Sequence, residues 1–134
     1  MISIFTDGGA RGNPGPAAIG VAIFNSKGEE LVGIGKTLGI ATNNVAEYSA
    51  VIEALKWLAE HKPQDSDVHF YLDSELVVSQ LNGVYKVKND TLRGLLFGVR
   101  ELIGNLPYQI VFSHIPREKN KRADSLVNFA LDNA

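Results

Sequence analysis

Apolar positions along the chain change period more than once. Ile2–Phe5 is a short apolar run of strand character, and Ile19–Asn25 is a second, rich in β-branched and aromatic residues. A turn over Asn25–Glu30, with Gly28 inside it, leads into a third predicted strand, Glu30–Leu38. Short connections favour an antiparallel meander. Glycines in the third strand weaken it or mark a close backbone approach. The period then lengthens. Val45, Tyr48, Ile52, Leu55 and Ala59 recur at helical spacing, which predicts a helix over Asn43–His61 that stops before Pro63.

Val68–Asp73 returns to strand character, and Ser74–Gly83 suits a short helix with Gly83 near its end. A longer helix is predicted over Asp90–Leu106, with Leu92, Leu95, Leu96, Val99, Leu102 and Ile103 as its apolar face. Tyr108–Ile115 reads as a fifth strand. The polar loop Pro116–Lys121 precedes a last helix over Arg122–Asn133. The order βββαβααβα predicts an α/β domain, because the later crossovers need helices packed on a sheet. No linker, repeat or low-complexity segment divides the chain, so one domain is expected over residues 1–134.

Composition narrows the function classes. The chain has 134 residues, 45% hydrophobic and 21% charged, with a formal net charge of −2. A protein that binds nucleic acid by charge alone would be far more basic. An anionic partner therefore needs local basic groups or metal ions. Without cysteine there is no disulfide frame or thiolate metal site. No signal-like segment or membrane-length apolar run stands out, so the expected location is the cytoplasm, with no membrane partner.

Four acids then stand out, each at a predicted element boundary: Asp7, Glu47, Asp73 and Asp124. Each has an ordinary reading. Asp7 suits a turn, and Glu47 lies at capping-box spacing after Asn44. Asp73 suits the cap of the following helix, and Asp124 the positive end of the last one. Taken together they point elsewhere, since α/β folds bind ligands beyond the carboxyl ends of their strands. Gathered carboxylates repel one another, and divalent cations with oxygen preference remove that repulsion. Two ions about 4 Å apart would activate water and stabilise a departing phosphate oxygen.

The motifs around these acids resemble type 1 ribonuclease H (ribonuclease HI). They are TDGGARGNPGPAAIGVAI, TNNVAEYSAVIEAL, YLDSELVV and HIPREKNKRADSLVNFA, in family order over nearly the whole chain. The resemblance implies a ribonuclease H-like fold, a mixed five-stranded sheet flanked by helices. It implies hydrolysis of the RNA strand of an RNA–DNA hybrid with two divalent cations, Mg2+ or Mn2+, held by Asp7, Glu47, Asp73 and Asp124. It assigns His114 to proton transfer or product departure, a role open to an imidazole near phosphate.

By the same resemblance, Gly8, Ala10, Asn13 and Asn44 line the hybrid site, and Thr42 belongs to a pocket for a DNA-strand phosphate. Gly8 and Ala10 would contribute backbone contacts, and Asn13 and Asn44 amide donors and acceptors. Arg117, Lys119, Lys121 and Arg122 form a basic loop near Asp124, placed to attract a phosphate backbone. Some bacterial members carry a strongly basic helical protrusion. Here Asn82–Leu102 offers Tyr85, Lys86, Lys88, Arg93 and Arg100 without a dense block, and reads as a helix connection with a solvated face. The acid ending the fourth strand is followed by SELVV rather than the family's common glycine–glutamine pair, so the resemblance does not carry one familiar substrate contact onto Glu75. Two other readings stand beside this one. One is a different ribonuclease H-like nuclease or junction resolvase. The other is a noncatalytic RNA–DNA or RNA-binding module, which would gain little from four converging acids. A monomer without an obligate protein partner is the simplest expectation.

Overall fold

The computed structural model describes residues 1–134. Three antiparallel strands, β1 (Ile2–Ala10), β2 (Gly15–Phe24) and β3 (Glu30–Ala41), lead into helix α1 (Asn43–His61). Strand β4 (Asp67–Leu72), helices α2 (Glu75–Leu81) and α3 (Asp90–Gly104), strand β5 (Gln109–His114), a 3-10 turn (Arg117–Lys119) and helix α4 (Lys121–Asp132) complete the chain. The sheet runs β3-β2-β1-β4-β5, with β4 and β5 parallel to β1. This is the expected mixed five-stranded α/β sheet flanked by helices.

Alternation along the strands separates two layers. Ile2, Ile4, Ile19, Val21, Ile23, Val68, Phe70 and Leu72 are buried in a core that also contains residues of α1 and α3. On the opposite face Ala18 packs with Val127 and Ala130 of α4. Helix α1 is capped by Thr42, whose hydroxyl accepts the Val45 N–H, and ends at Lys62 in the left-handed region. Its buried arc runs through Tyr48, Val51, Leu55 and Leu58 together with Ala46, Ala50 and Ala54. Ala59, expected on that face, is exposed. No helix is long and apolar enough to cross a membrane.

The first strand is longer than its apolar run. It continues through Asp7, Gly8 and Gly9, because Asp7–Ala10 pair with Ala17–Gly20 of β2. Asp7 therefore sits inside a strand and not in a turn. Pairing with β4 ends at Phe5–Tyr71, so the β4 side of β1 is open at Asp7.

Two glycines let the helices approach this point. A Cβ on Gly8 would overlap the backbone of Ala46 and Glu47 in α1. A Cβ on Gly20, the cross-strand partner of Asp7, would overlap the carbonyl of Ala123 in α4. Both neighbours are backbone and cannot rotate away. Gly20→Ala is expected to push α4 off the sheet and destabilise the protein by about 1–3 kcal/mol, the usual range for overpacking. A urea denaturation midpoint unchanged from the parent would contradict this packing.

Candidate metal centre

Four elements deliver the four acids to one cleft. Asp7 comes from β1, Glu47 from the first turns of α1, Asp73 from the residue after β4, and Asp124 from the first turn of α4. Carboxylate oxygens of Asp7, Glu47 and Asp73 all lie within 4.8 Å of one another. Asp124 lines the same cleft and adds to the negative field at Asp7. Asp124 does stand in the first turn of α4, where its ordinary reading put it, but the ordinary readings of Asp7, Glu47 and Asp73 do not fit. Helix α1 is capped by Thr42 and not Asn44, and the hydroxyl of Ser74, not Asp73, caps α2 by accepting the Val77 N–H. Asp73 is thus left to face the cleft.

Asp7 and Glu47 are buried, at 8% and 6% exposure. The Gly8 N–H donates to Asp7 Oδ1 at 3.0 Å and is 3.3 Å from Glu47 Oε1. Glu47 Oε2 is buried without a hydrogen-bond partner. Burial pushes the Asp7 carboxyl up to about 7, and the charges of Asp73 and then Asp124 push the same way. Glu47 is raised well above the usual carboxylate range, first by burial and then by Asp7. The donor set is all oxygen, crowded, short of protein countercharge, and includes an unpartnered buried carboxylate oxygen. Those features suit a hard divalent cation.

Asn120 was not among the expected residues. It is 1% exposed, between the 3-10 turn and α4. Its Nδ2 donates to the Thr6 carbonyl at 2.9 Å and to Asp73 Oδ2 at 3.1 Å. Asn128 lies one turn beyond Asp124, with Nδ2 3.4 Å from its Oδ2. Asn43 was also missed. Its Oδ1 accepts the Ala10 N–H at 2.8 Å, and its own N–H donates to Asn13 Oδ1 at 3.0 Å.

The residues expected at the hybrid site fall into separate places. Gly8 and Ala10 line the acidic cleft, but their N–H groups already serve Asp7, Glu47 and Asn43. Asn13, Thr42 and Asn44 share a neighbouring polar groove with Asn89 and Thr91. Arg117 borders the acidic cleft, its Nη2 4.0 Å from Asp124 Oδ1. Lys119 and Lys121 are exposed. Arg122 leaves this group, because it forks onto Glu30 through bonds of 2.7 and 3.1 Å and lies against Gly33. His114 is exposed at the end of β5, in register with Leu72, the residue before Asp73.

The region read as a plain helix connection has more structure than expected. Tyr85, Lys86, Lys88, Arg93, Phe97 and Arg100 surround one open groove that contains no acid. Tyr85 and Phe97 are 56% and 64% exposed, unusual for aromatic side chains without a partner.

A family profile described as reverse transcriptase-like matches residues 5–130. The chain is 40% identical over 133 residues to ribonuclease HI of Halobacterium salinarum, a match covering 99% of this chain and 65% of that protein. It is 34% identical over 145 residues to ribonuclease H of Erythrobacter litoralis, covering 98% and 96%. The chain thus spans just under two thirds of the halobacterial relative, and 36% of the bifunctional protein Rv2228c of Mycobacterium tuberculosis, to which it is 37% identical. The crystal structure of LC11-RNase H1 in complex with RNA/DNA hybrid superposes with a TM-score of 0.94 at 50% identity, covering 99% of this chain and 98% of that one.

The raised carboxyls make metal-free stability depend on pH. Between the ordinary Asp value of 3.8 and about 7, folded Asp7 holds a proton that the unfolded chain has lost. The folded state binds more protons there, so stability falls as pH rises through this window. Asp7→Asn removes that part of the dependence. In EDTA at about pH 8 its melting temperature is expected to exceed the parent's by a few degrees. Added magnesium should raise the parent's melting temperature and leave that of the variant nearly unchanged. The reverse order of stabilities in EDTA would refute the assigned electrostatics.

Proposed function

The chain belongs to the type 1 ribonuclease H family, and from that premise we propose that it hydrolyses the RNA strand of RNA–DNA hybrids by metal-dependent phosphodiester cleavage. The observation that carries this reading is the set of three carboxylates within 4.8 Å at the floor of an open cleft. Asp7, Glu47 and Asp73 would hold the ions, with Asp124 completing a site for two, Mg2+ first and Mn2+ second. Divalent ions at this position supply Lewis-acid polarisation of the scissile phosphate and countercharge for the departing oxygen.

The remaining functions belong to the chain's own side chains. The Gly8 N–H fixes the orientation of Asp7 and Glu47. Arg117, beside Asp124, offers an exposed guanidinium to a phosphate at the cleft rim. His114, exposed at the end of β5 in register with Leu72, would assist proton transfer or product departure, the role the family resemblance gives it. Asn13, Thr42 and Asn44 offer neutral donors and acceptors along one side, suited to sugar hydroxyls and phosphate oxygens. The cationic groove of Lys86, Lys88, Arg93 and Arg100 extends the phosphate-binding surface, with Tyr85 and Phe97 as stacking faces. The hybrid seen bound to LC11-RNase H1 is the substrate class these features suit.

Single-turnover cleavage of matched substrates over a magnesium titration tests the reading. Asp7→Asn and Asp73→Asn should leave almost no cleavage of the hybrid, while His114→Ala slows it by no more than ~10²–10⁴-fold and keeps the metal dependence. Equal cleavage of duplex DNA would refute hybrid selectivity, and near-parental cleavage by folded Asp7→Asn would refute the metal centre.

Binding is expected to be salt-sensitive despite the acidic net charge. In an Asp7→Asn background, which keeps the hybrid intact, Lys86→Ala and Lys88→Ala should each lower the slope of log affinity against log salt by about one. Unchanged slopes would remove the groove from the substrate path.

A further inference from the structure

We propose that Asn120 is a positioning residue that sets the geometry of the metal centre by tying three of its acids together; the proposal rests on the metal-site reading above. Asn120 is buried in a loop that is otherwise exposed and charged. Its backbone belongs to two elements at once. The N–H closes the 3-10 turn on the Arg117 carbonyl at 3.0 Å, and the carbonyl accepts the Asp124 N–H at 3.1 Å in the first turn of α4. Its side chain does not cap that helix. The amide reaches instead to the Thr6 carbonyl, one residue before Asp7, and to Asp73 Oδ2.

Each contact limits a different acid. The bond to Thr6 joins the start of α4, and with it Asp124, to the strand that carries Asp7. The bond to Asp73 restricts rotation of a carboxylate that follows the last residue of β4 and has no regular element to hold it. A primary amide suits this place because it has two N–H donors, one for each acceptor. It also carries no charge, so it orients Asp73 without adding a fifth anion or a competing cation. A carboxylate at this position would repel Asp73. An aliphatic side chain would leave Asp73 Oδ2 and the Thr6 carbonyl without their donor. Groups that hold metal ligands in place typically alter metal affinity by ~10–100-fold when removed.

Asn120→Ser and Asn120→Ala, with Asp73→Asn as reference, separate this proposal from a role in folding alone. Serine favours the position before a helix, so Asn120→Ser keeps the start of α4 while shortening the reach to Asp73. Manganese binding measured by titration calorimetry, without substrate, is the primary readout. Thermal denaturation in EDTA and the magnesium concentration for half-maximal cleavage accompany it. The expected result is manganese affinity lower by about tenfold or more in both variants, with a matching rise in the magnesium requirement. Much of the rate should return at high metal. Lower melting temperatures with unchanged manganese affinity would overturn the proposal and leave Asn120 a role in folding alone. If Asp73→Asn itself binds manganese like the parent, the metal-site reading fails as well. If that variant loses binding and the Asn120 variants do not, only the positioning role fails.

Discussion

Carboxylates forced together in a poorly solvated cleft are the constraint on which the rest of this molecule depends. Asp7, Glu47 and Asp73 crowd within 4.8 Å, two of them buried, with a single backbone N–H shared between Asp7 and Glu47. No lysine is among the residues lining the cleft; of its two arginines, Arg11 pairs with Asp132 at 2.6 Å and Arg117 lies 4.0 Å from Asp124. Without a cation such a group lowers its charge by holding protons, as the raised carboxyls of Asp7 and Glu47 show, and a bound divalent cation would take the place of those protons. The fold pays for this arrangement through two close approaches. Gly8 lets α1 bring Glu47 against β1, and Gly20 lets α4 bring the residue next to Asp124 against β2. The glycines that weaken β1 and β2 as strands are the ones that let the site close.

Much of this was legible in the sequence because its signals are local. The helical period over Asn43–His61, the alternation in β4 and β5, and acids at motif spacing all reach the eye within a few residues. The failures have physical causes. The Gly8–Ala10 stretch looked like a turn because glycine carries no strand signal, yet cross-strand bonds to β2 hold it extended. The buried arc of α1 was misplaced by part of a turn, because small residues such as Ala46, Ala50 and Ala54 line its sheet contact. A count of large apolar residues underweights them.

Side chains whose roles depend on distant partners were the least legible. Asn120 lies in a charged loop and reads as solvated, but it reaches Thr6 across 114 residues of sequence. The available signal was its position four residues before Asp124, one helical turn away. Arg122 was grouped with Arg117, Lys119 and Lys121 by adjacency. Once α4 begins, each residue turns by about 100° around the helix axis, and Arg122 points to Glu30 on β3. Charge counted along a sequence is therefore a poor guide to charge on a surface wherever a helix starts inside the cluster.

That distinction also resolves how a chain with a net charge of −2 could hold a polyanion. Its acids are not spread evenly. Four of them occupy one cleft, where bound cations would reverse the local field. No acid lines the groove of Lys86, Lys88, Arg93 and Arg100, with Asp90 3.7 Å from Arg93 the nearby exception. Between these poles lies the neutral polar surface of Asn13, Thr42 and Asn44, shared with Asn89 at the start of α3. A phosphate backbone responds to fields within about a Debye length, ~8–10 Å at moderate salt. A hybrid brought to this surface would therefore meet local fields: attractive at the cationic groove, repulsive at the acids until cations fill the cleft. Net charge averages over both and predicts neither. On the proposed function, binding and catalysis would be coupled through the same ions, because the cations that would satisfy the acids would also make the cleft acceptable to the backbone.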